Sequence, residues 1–262
     1  MKPFHFAAAV SLVLALISSA AEPAAPMPAG ELAARLSALR QNGASYVRVK
    51  MDINGAKKEA LQLQIKERRS KTATDVVYQV LWPKERKGES VLLRKSGARA
   101  ASGSIFTPPN TLRAIDDLKA PLLGSDLSYE DIVEDFFAWE RQTIVGTEAV
   151  GGVSCQLLES KPGKGERSSY GSVKSWIDTR RMVPLRVEKY SGSGQLLRRI
   201  DTTRVVSDAG HHIPANLTVS GARQGSSTEL DGTRIKHGVA LPDRDFTTDG
   251  IKEIVTPRGS QD

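Results

Sequence analysis

Apolar residues recur with a period of two along most of this 262-residue chain, and that alternation narrows the fold more than any other feature. Val47, Val49, Met51 and Ile53 alternate with Tyr46, Arg48, Lys50 and Asp52, and Asn54-Gly55 follows as the dipeptide of a tight hairpin turn. Leu61, Leu63 and Ile65 then alternate with Gln62, Gln64 and Lys66 on the return. The pattern predicts strands with one apolar and one wet face: Val47, Val49, Met51, Leu61, Leu63 and Ile65 inward, Arg48, Lys50, Gln62 and Gln64 in water. Similar segments follow at 76–82, 90–93, 103–106, 142–145, 155–159, 171–177, 185–190, 196–206, 215–219 and 227–236. Pro83, Pro108-Pro109, Gly151-Gly152, Gly192-Ser193-Gly194 and Asp208-Ala209-Gly210 break the chain between them. The connections suit antiparallel neighbours, and no helix of crossover length alternates with the strands. A sheet of about ten or more strands curls, and its concave apolar face must be covered.

Few helices are available as covers. Leu32, Ala33, Leu36 and Leu39 mark an amphipathic helix over 31–39 that stops before Gly43, and a short helix is expected near 248–254. The third lies at 129–137, where Ser128 and Asp131 have the spacing of a capping box. Tyr129, Ile132, Val133, Phe136 and Phe137 fall on one side of it; Glu130, Asp131, Glu134 and Asp135 fall on the other and read as a solvated face. The chain has six Phe, five Tyr and three Trp, yet Tyr129, Phe136, Phe137 and Trp139 stand within eleven positions. Such a stripe either plugs the protein's own core or forms a lid over an apolar ligand, and periodicity does not separate the two. The expected class is mainly β (α+β), a large curved antiparallel sheet with its concave face under short helices.

The run Leu123-Gly124-Ser125-Asp126-Leu127-Ser128-Tyr129-Glu130-Asp131 resembles the signature stretch of the outer-membrane lipoprotein-sorting proteins, the LolA-like carriers. Leu81-Trp82-Pro83-Lys84, Ser175-Trp176-Ile177-Asp178 with Pro184-Leu185-Arg186, and Leu241-Pro242-Asp243 extend the resemblance over most of the chain. It implies a half-open β-barrel closed by helices, with acyl chains of a lipoprotein or lipid held between. It also implies transfer toward the outer membrane, with an inner-membrane transporter and an outer-membrane acceptor as partners. The implied acyl-binding residues are Val47, Val49, Met51, Leu61, Leu63, Ile65, Tyr78 and Trp82 on the strands, with Tyr129, Ile132, Val133, Phe136 and Phe137 on the lid. An envelope sensor or scaffold of the same fold, working by protein contact, is the alternative.

Residues 1–21 read as a signal peptide: Lys2, an apolar run from Phe6 to Ile17, and small residues around Ala20-Ala21 for cleavage. Residues 22–262 are then expected to form one domain in the periplasm, not spanning a membrane, since the apolar run is shorter than the roughly 20 residues of a bilayer helix. The formal charge of +7 is dispersed, which suits a solvated surface or anionic headgroups better than nucleic acid. Cys155, the single cysteine, sits in an apolar strand as a small hydrophobe without a nearby His. His211-His212 and His237 border turns, and adjacent histidines on a strand point to opposite faces, so no metal is expected. No phosphate-binding Gly loop, nucleophile elbow or Ser/His/Asp order stands out, so neither catalysis nor a cofactor is expected.

Overall fold

The computed structural model describes residues 26–41, 43–97, 99–208, 210–221 and 223–257. The expected leader at 1–21 lies outside them. Helix α1 (Ala29–Arg40) precedes β1 (Gly43–Asn54), β2 (Lys58–Arg69), β3 (Ala73–Trp82), β4 (Ser90–Ser96), β5 (Ser102–Thr107) and β6 (Thr111–Ala114). A covering segment follows, with a 3-10 turn at Leu122–Gly124, helix α2 (Tyr129–Val133) and a second 3-10 turn at Phe136–Ala138. The chain then runs through β7 (Arg141–Val150), β8 (Val153–Lys161), β9 (Ser172–Asp178), β10 (Val183–Tyr190), β11 (Leu196–Asp208), β12 (His211–Ser220) and β13 (Ser227–His237). Two 3-10 turns, Asp243–Phe246 and Gly250–Lys252, complete it.

The strands form one open antiparallel sheet in the order β6-β5-β4-β3-β2-β1-β13-β12-β11-β10-β9-β8-β7. Two meanders are therefore joined where β1 pairs with β13, Met51 opposite Leu230. This order explains the cover. The chain leaves β6 at one edge and must enter β7 at the other, so residues 115–140 have to cross the sheet. The apolar face of that crossing and the concave face of the sheet bury each other.

The crossing packs as two pieces rather than one helix. Tyr129, Ile132 and Val133 join Met51, Leu63 and Tyr78 in one cluster over the first meander. Phe136, Phe137 and Trp139 join Leu32 and Leu36 of α1 on Leu158 and Ile177 of the second. Helical spacing predicts one helix over 129–137, but Glu134 is extended (ψ 128) and ends α2, letting the stripe step from one cluster to the next.

Part of the outer face of the first meander is not wet. The segment 243–257 lies along it, with Phe246 and Ile251 packed on Val77, Leu92 and Phe106. Gln64, expected in water, is fully buried: its Nε2 donates to Gln79 Oε1 at 2.8 Å and to the Val255 carbonyl at 3.2 Å. Gln79 Nε2 donates to the carbonyls of Ile251 and Glu253 at 3.1 and 2.9 Å. The outward amides thus supply donors to a strap that has no strand partner of its own. Lys50 and Gln62 remain exposed, as alternation predicts, and Arg48 is half-buried. The short helix predicted near 248–254 is instead the 3-10 turn Gly250–Lys252, and it covers the outer face rather than the concave one. Its turn requires Gly250, where a Cβ would stand 1.8 Å from the Arg244 carbonyl oxygen.

Lys66 and Asp245 anchor the strap as a buried pair, Nζ to Oδ2 2.8 Å. Asp245→Ala leaves that ammonium without its counter-charge and should cost about 3–5 kcal/mol. Urea unfolding of the variant measures the loss; a change within about 0.5 kcal/mol would show that the strap is not held there.

Candidate functional site

Over the second meander the cover leaves space. A cavity of about 360 Å³ lies between α1, the turn at Phe136–Ala138 and the floor made by β10, β11 and β12. This is within the range of roughly 300–1,000 Å³ usual for small-ligand sites. Leu36, Leu39 and Arg40 form one wall and Phe136 and Phe137 another. Pro184, Val187, Ile200, Ile213, Pro214 and Leu217 make an apolar floor. Lys189 and Asp131 close the deep end, while exposed His211, His212 and His237 stand at the rim.

The thirteen residues expected to contact an acyl chain are divided by the structure. Phe136 and Phe137 line the cavity. Met51, Leu61, Leu63, Tyr78, Tyr129, Ile132 and Val133 lie in the closed cluster of the first meander, with Ile65 packed at its margin. Val49 is buried, Val47 half-buried, and Trp82 is 50% exposed at the end of β3. The first meander is filled by the protein's own crossing, so the open space falls on β10 to β12, strands that the hairpin reading did not single out. Sequence offered one signal there: Pro184, Val187, Ile200, Ile213 and Leu217 are apolar positions recurring along β10 to β12.

The polar residues of the 123–131 stretch fasten the crossing to the sheet. Ser128 and Asp131 form the expected capping box, with the Asp131 backbone N–H donating to Ser128 Oγ and the Ser128 N–H donating to Asp131 Oδ2 at 2.7 Å. The Asp131 side chain is almost fully buried and also accepts from Lys189 Nζ (2.6 Å), Tyr170 Oη (2.7 Å) and Arg198 Nη1. Burial alone would raise its carboxyl, but the Lys189 ammonium, the Arg198 guanidinium and these hydrogen bonds prevail and hold it below the usual carboxylate range. Burial, with Asp131 beside it, pushes the Tyr170 phenol far above its ordinary range, which keeps it a donor.

The acidic residues expected on a solvated face are therefore turned inward, each against a donor. Glu130 accepts from Ser168 Oγ and the Ser169 N–H, both at 2.8 Å. Glu134 accepts from Trp139 Nε1 and Lys95 Nζ, both at 2.9 Å. Asp135 accepts from Ser37 Oγ at 2.7 Å and pairs with Arg40 at 3.3 Å, tying the crossing to α1. Helical periodicity assigns these residues to water because it registers only one apolar neighbour, whereas the crossing is enclosed by the sheet below and by α1 and the 163–170 loop beside it. Cys155 is buried in the outer cluster of the second meander, and burial raises its thiol pKa.

Asp131→Asn keeps the side-chain shape but leaves Lys189 and Arg198 buried together without their anion, so it should destabilise by about 3–5 kcal/mol at neutral pH. Because the folded carboxyl is depressed, its contribution is complete above the unfolded value near 3.9 and is lost as pH falls through the lower folded one. Urea titrations from neutrality to about pH 3 should show the wild type approaching the variant's stability. A constant gap across that range would overturn the assignment.

Comparison with known proteins places this geometry. The structure matches a DUF1329 family protein from Desulfovibrio piger with TM-score 0.79 and 24% identity, over 85% of this chain and 97% of that one. A lipoprotein-sorting protein domain from Vibrio parahaemolyticus, described as a putative outer membrane one, matches at TM-score 0.76 and 21% identity, over 86% and 98%. The LolA superfamily protein NE2245 from Nitrosomonas europaea matches at TM-score 0.68 and 19% identity, over 86% and 99%. The fold is thus the LolA-like one that the 123–131 stretch implies, with the sheet open rather than closed. No curated protein matches the sequence. A family model described as a DUF1329-like uncharacterized protein matches residues 72–253, and the chain belongs to that family.

Proposed function

We propose that this protein is a periplasmic carrier that holds an acyl chain in the cavity under α1 and the Phe136–Ala138 turn. In this reading it passes a lipid or the lipid-modified end of a lipoprotein toward the outer membrane. The observation that supports it most is the cavity itself, about 360 Å³ with an almost wholly apolar floor, set in a fold shared with lipoprotein-sorting proteins. Acyl methylenes gain about 0.8 kcal/mol each on leaving water, so such a site binds by area alone and needs neither nucleotide nor cofactor. Binding rather than turnover also suits the polar groups, since the buried carboxylates of the crossing are engaged in structural pairs. Among the described residues no helix is long and apolar enough to cross a membrane. The reading adopts residues 1–21 as a cleaved signal, 22–262 as one domain, and an inner-membrane donor and outer-membrane acceptor as partners. The thirteen expected contacts then reduce, for the chain itself, to Phe136 and Phe137.

Mass spectrometry of protein purified natively from its own envelope should find a co-purifying acyl lipid or lipopeptide and a chain beginning near Ala21. Empty protein that takes up no fatty-acyl probe would defeat the carrier reading. Phe136→Ala and Phe137→Ala test the wall. A fully packed aromatic costs roughly 3–5 kcal/mol on truncation, but a ring facing an existing void should cost less, about 1–2 kcal/mol for at least one of the two, with weaker probe binding. Large destabilisation with unchanged probe affinity at both positions would mark them as core alone.

A further inference from the structure

The rim of the cavity differs from its floor in chemistry. His211 and His212 open β12 and His237 ends β13, so the three histidines of the described chain meet at one mouth, beside Leu39 and Arg40 of α1. Register explains the meeting: β11 and β12 pair with Asp208 opposite His211 and Ser207 opposite His212, while His237 pairs with Ser45 at the start of β1. All three strand ends lie on the same rim of the sheet. His211 and His212 are exposed, and the His237 side chain is 34% exposed. The charged groups facing them are Arg40 from α1, Asp208 from β11, and, deeper, Lys189 with its partner Asp131. Asp208 stands 3.9 Å from His237 Nε2, beyond hydrogen-bond reach, and Arg40 reaches Asp135 at 3.3 Å. Among the described residues no cluster has the makings of a metal site. His211, His237 and Arg40 bring N–H donors to the cavity mouth, and His212, the next residue of β12, borders it from the exposed strand end.

We infer that the mouth formed by His211, His212, His237 and Arg40 is a headgroup subsite for an anion, so that the ligand is a single-chain acyl amphiphile with an acidic head, carboxylate or phosphate. This rests on the carrier reading and narrows it. An apolar floor selects chain and not head, whereas imidazole N–H donors and a guanidinium at the exit select an anionic acceptor. The thioether-linked, N-acylated cysteine of a lipoprotein is uncharged and would gain nothing there.

The fluorescent fatty acid cis-parinaric acid and its methyl ester share a chain and differ in head charge, and their binding to the full chain tests the proposal. At neutral pH the acid should bind about tenfold more tightly than the ester, the worth of one charge-assisted contact. In the triple variant His211→Gln/His212→Gln/His237→Gln the acid should fall to the ester's affinity while the ester is unchanged. Displacement by dodecanoate and dodecyl phosphate, with dodecanol as the neutral reference, separates the two sources: whichever anion displaces better names the head. Equal binding of acid and ester to the unaltered chain, or dodecanol displacing as well as both anions, overturns the headgroup subsite and leaves the carrier reading standing. Binding of neither probe overturns the carrier reading itself. The comparison on the unaltered chain decides the matter even should the triple variant unfold.

Discussion

Asp131 is where the covering segment meets the sheet, and the architecture of the concave side follows from that contact. Its two oxygens accept from Lys189 of β10, Arg198 of β11, Tyr170 and Ser128, so a helix of only five residues is fixed to two strands and one loop at once. A helix that short has no stability of its own. Apolar contact would hold it against the sheet but would allow it to slide, because burial is non-directional. A buried, multiply bonded carboxylate sets its register, and the cost of burying the charges is offset only in that one geometry.

The position of the cavity is a consequence. With α2 fixed over the first meander, Tyr129, Ile132 and Val133 pack into that half against Met51, Leu63 and Tyr78. The chain then breaks at Glu134 and resumes as Phe136–Ala138, which shares the second half with α1. Two short pieces cover less of a broad concave face than one helix would, and what stays uncovered is the floor from β10 to β12. The walls of this space are tied by the Arg40–Asp135 and Ser37–Asp135 contacts, which join α1 to the crossing at the edge of the cavity.

The outer face is stiffened in a complementary way. The strap at 243–257 covers the first meander opposite the filled half of the concave side, through Gln64, Gln79 and the Lys66–Asp245 pair. The strands beneath α2 are thus packed on both faces, while the cavity lies over strands outside this doubly covered region. Rigid support beside a space open at one rim is what a site needs if it is to admit and release an apolar chain without unfolding.

Period-two alternation and its breakers were enough to establish an antiparallel sheet, because side-chain direction along a strand is a local property of the pleat. The capping box at Ser128 and Asp131 was legible for the same reason, being written within one turn of chain. The 123–131 run made the LolA-like fold readable. Three things were decided only by tertiary structure. Which face of β2 and β3 met water depended on a strap some 180 residues further on, so Gln64 looked solvated and is buried. Whether Glu130, Asp131 and Glu134 were surface charges depended on cations and hydroxyls from β4, β10, β11 and the 168–170 loop, none of which periodicity can place; Lys189 and Arg198 do share the inward parity of Val187 and Ile200, a signal that gains meaning only once the strands are paired. Where the space lay depended on which half of the sheet the crossing filled. Local pattern determines which way a side chain points, and only the folded chain determines what it meets there.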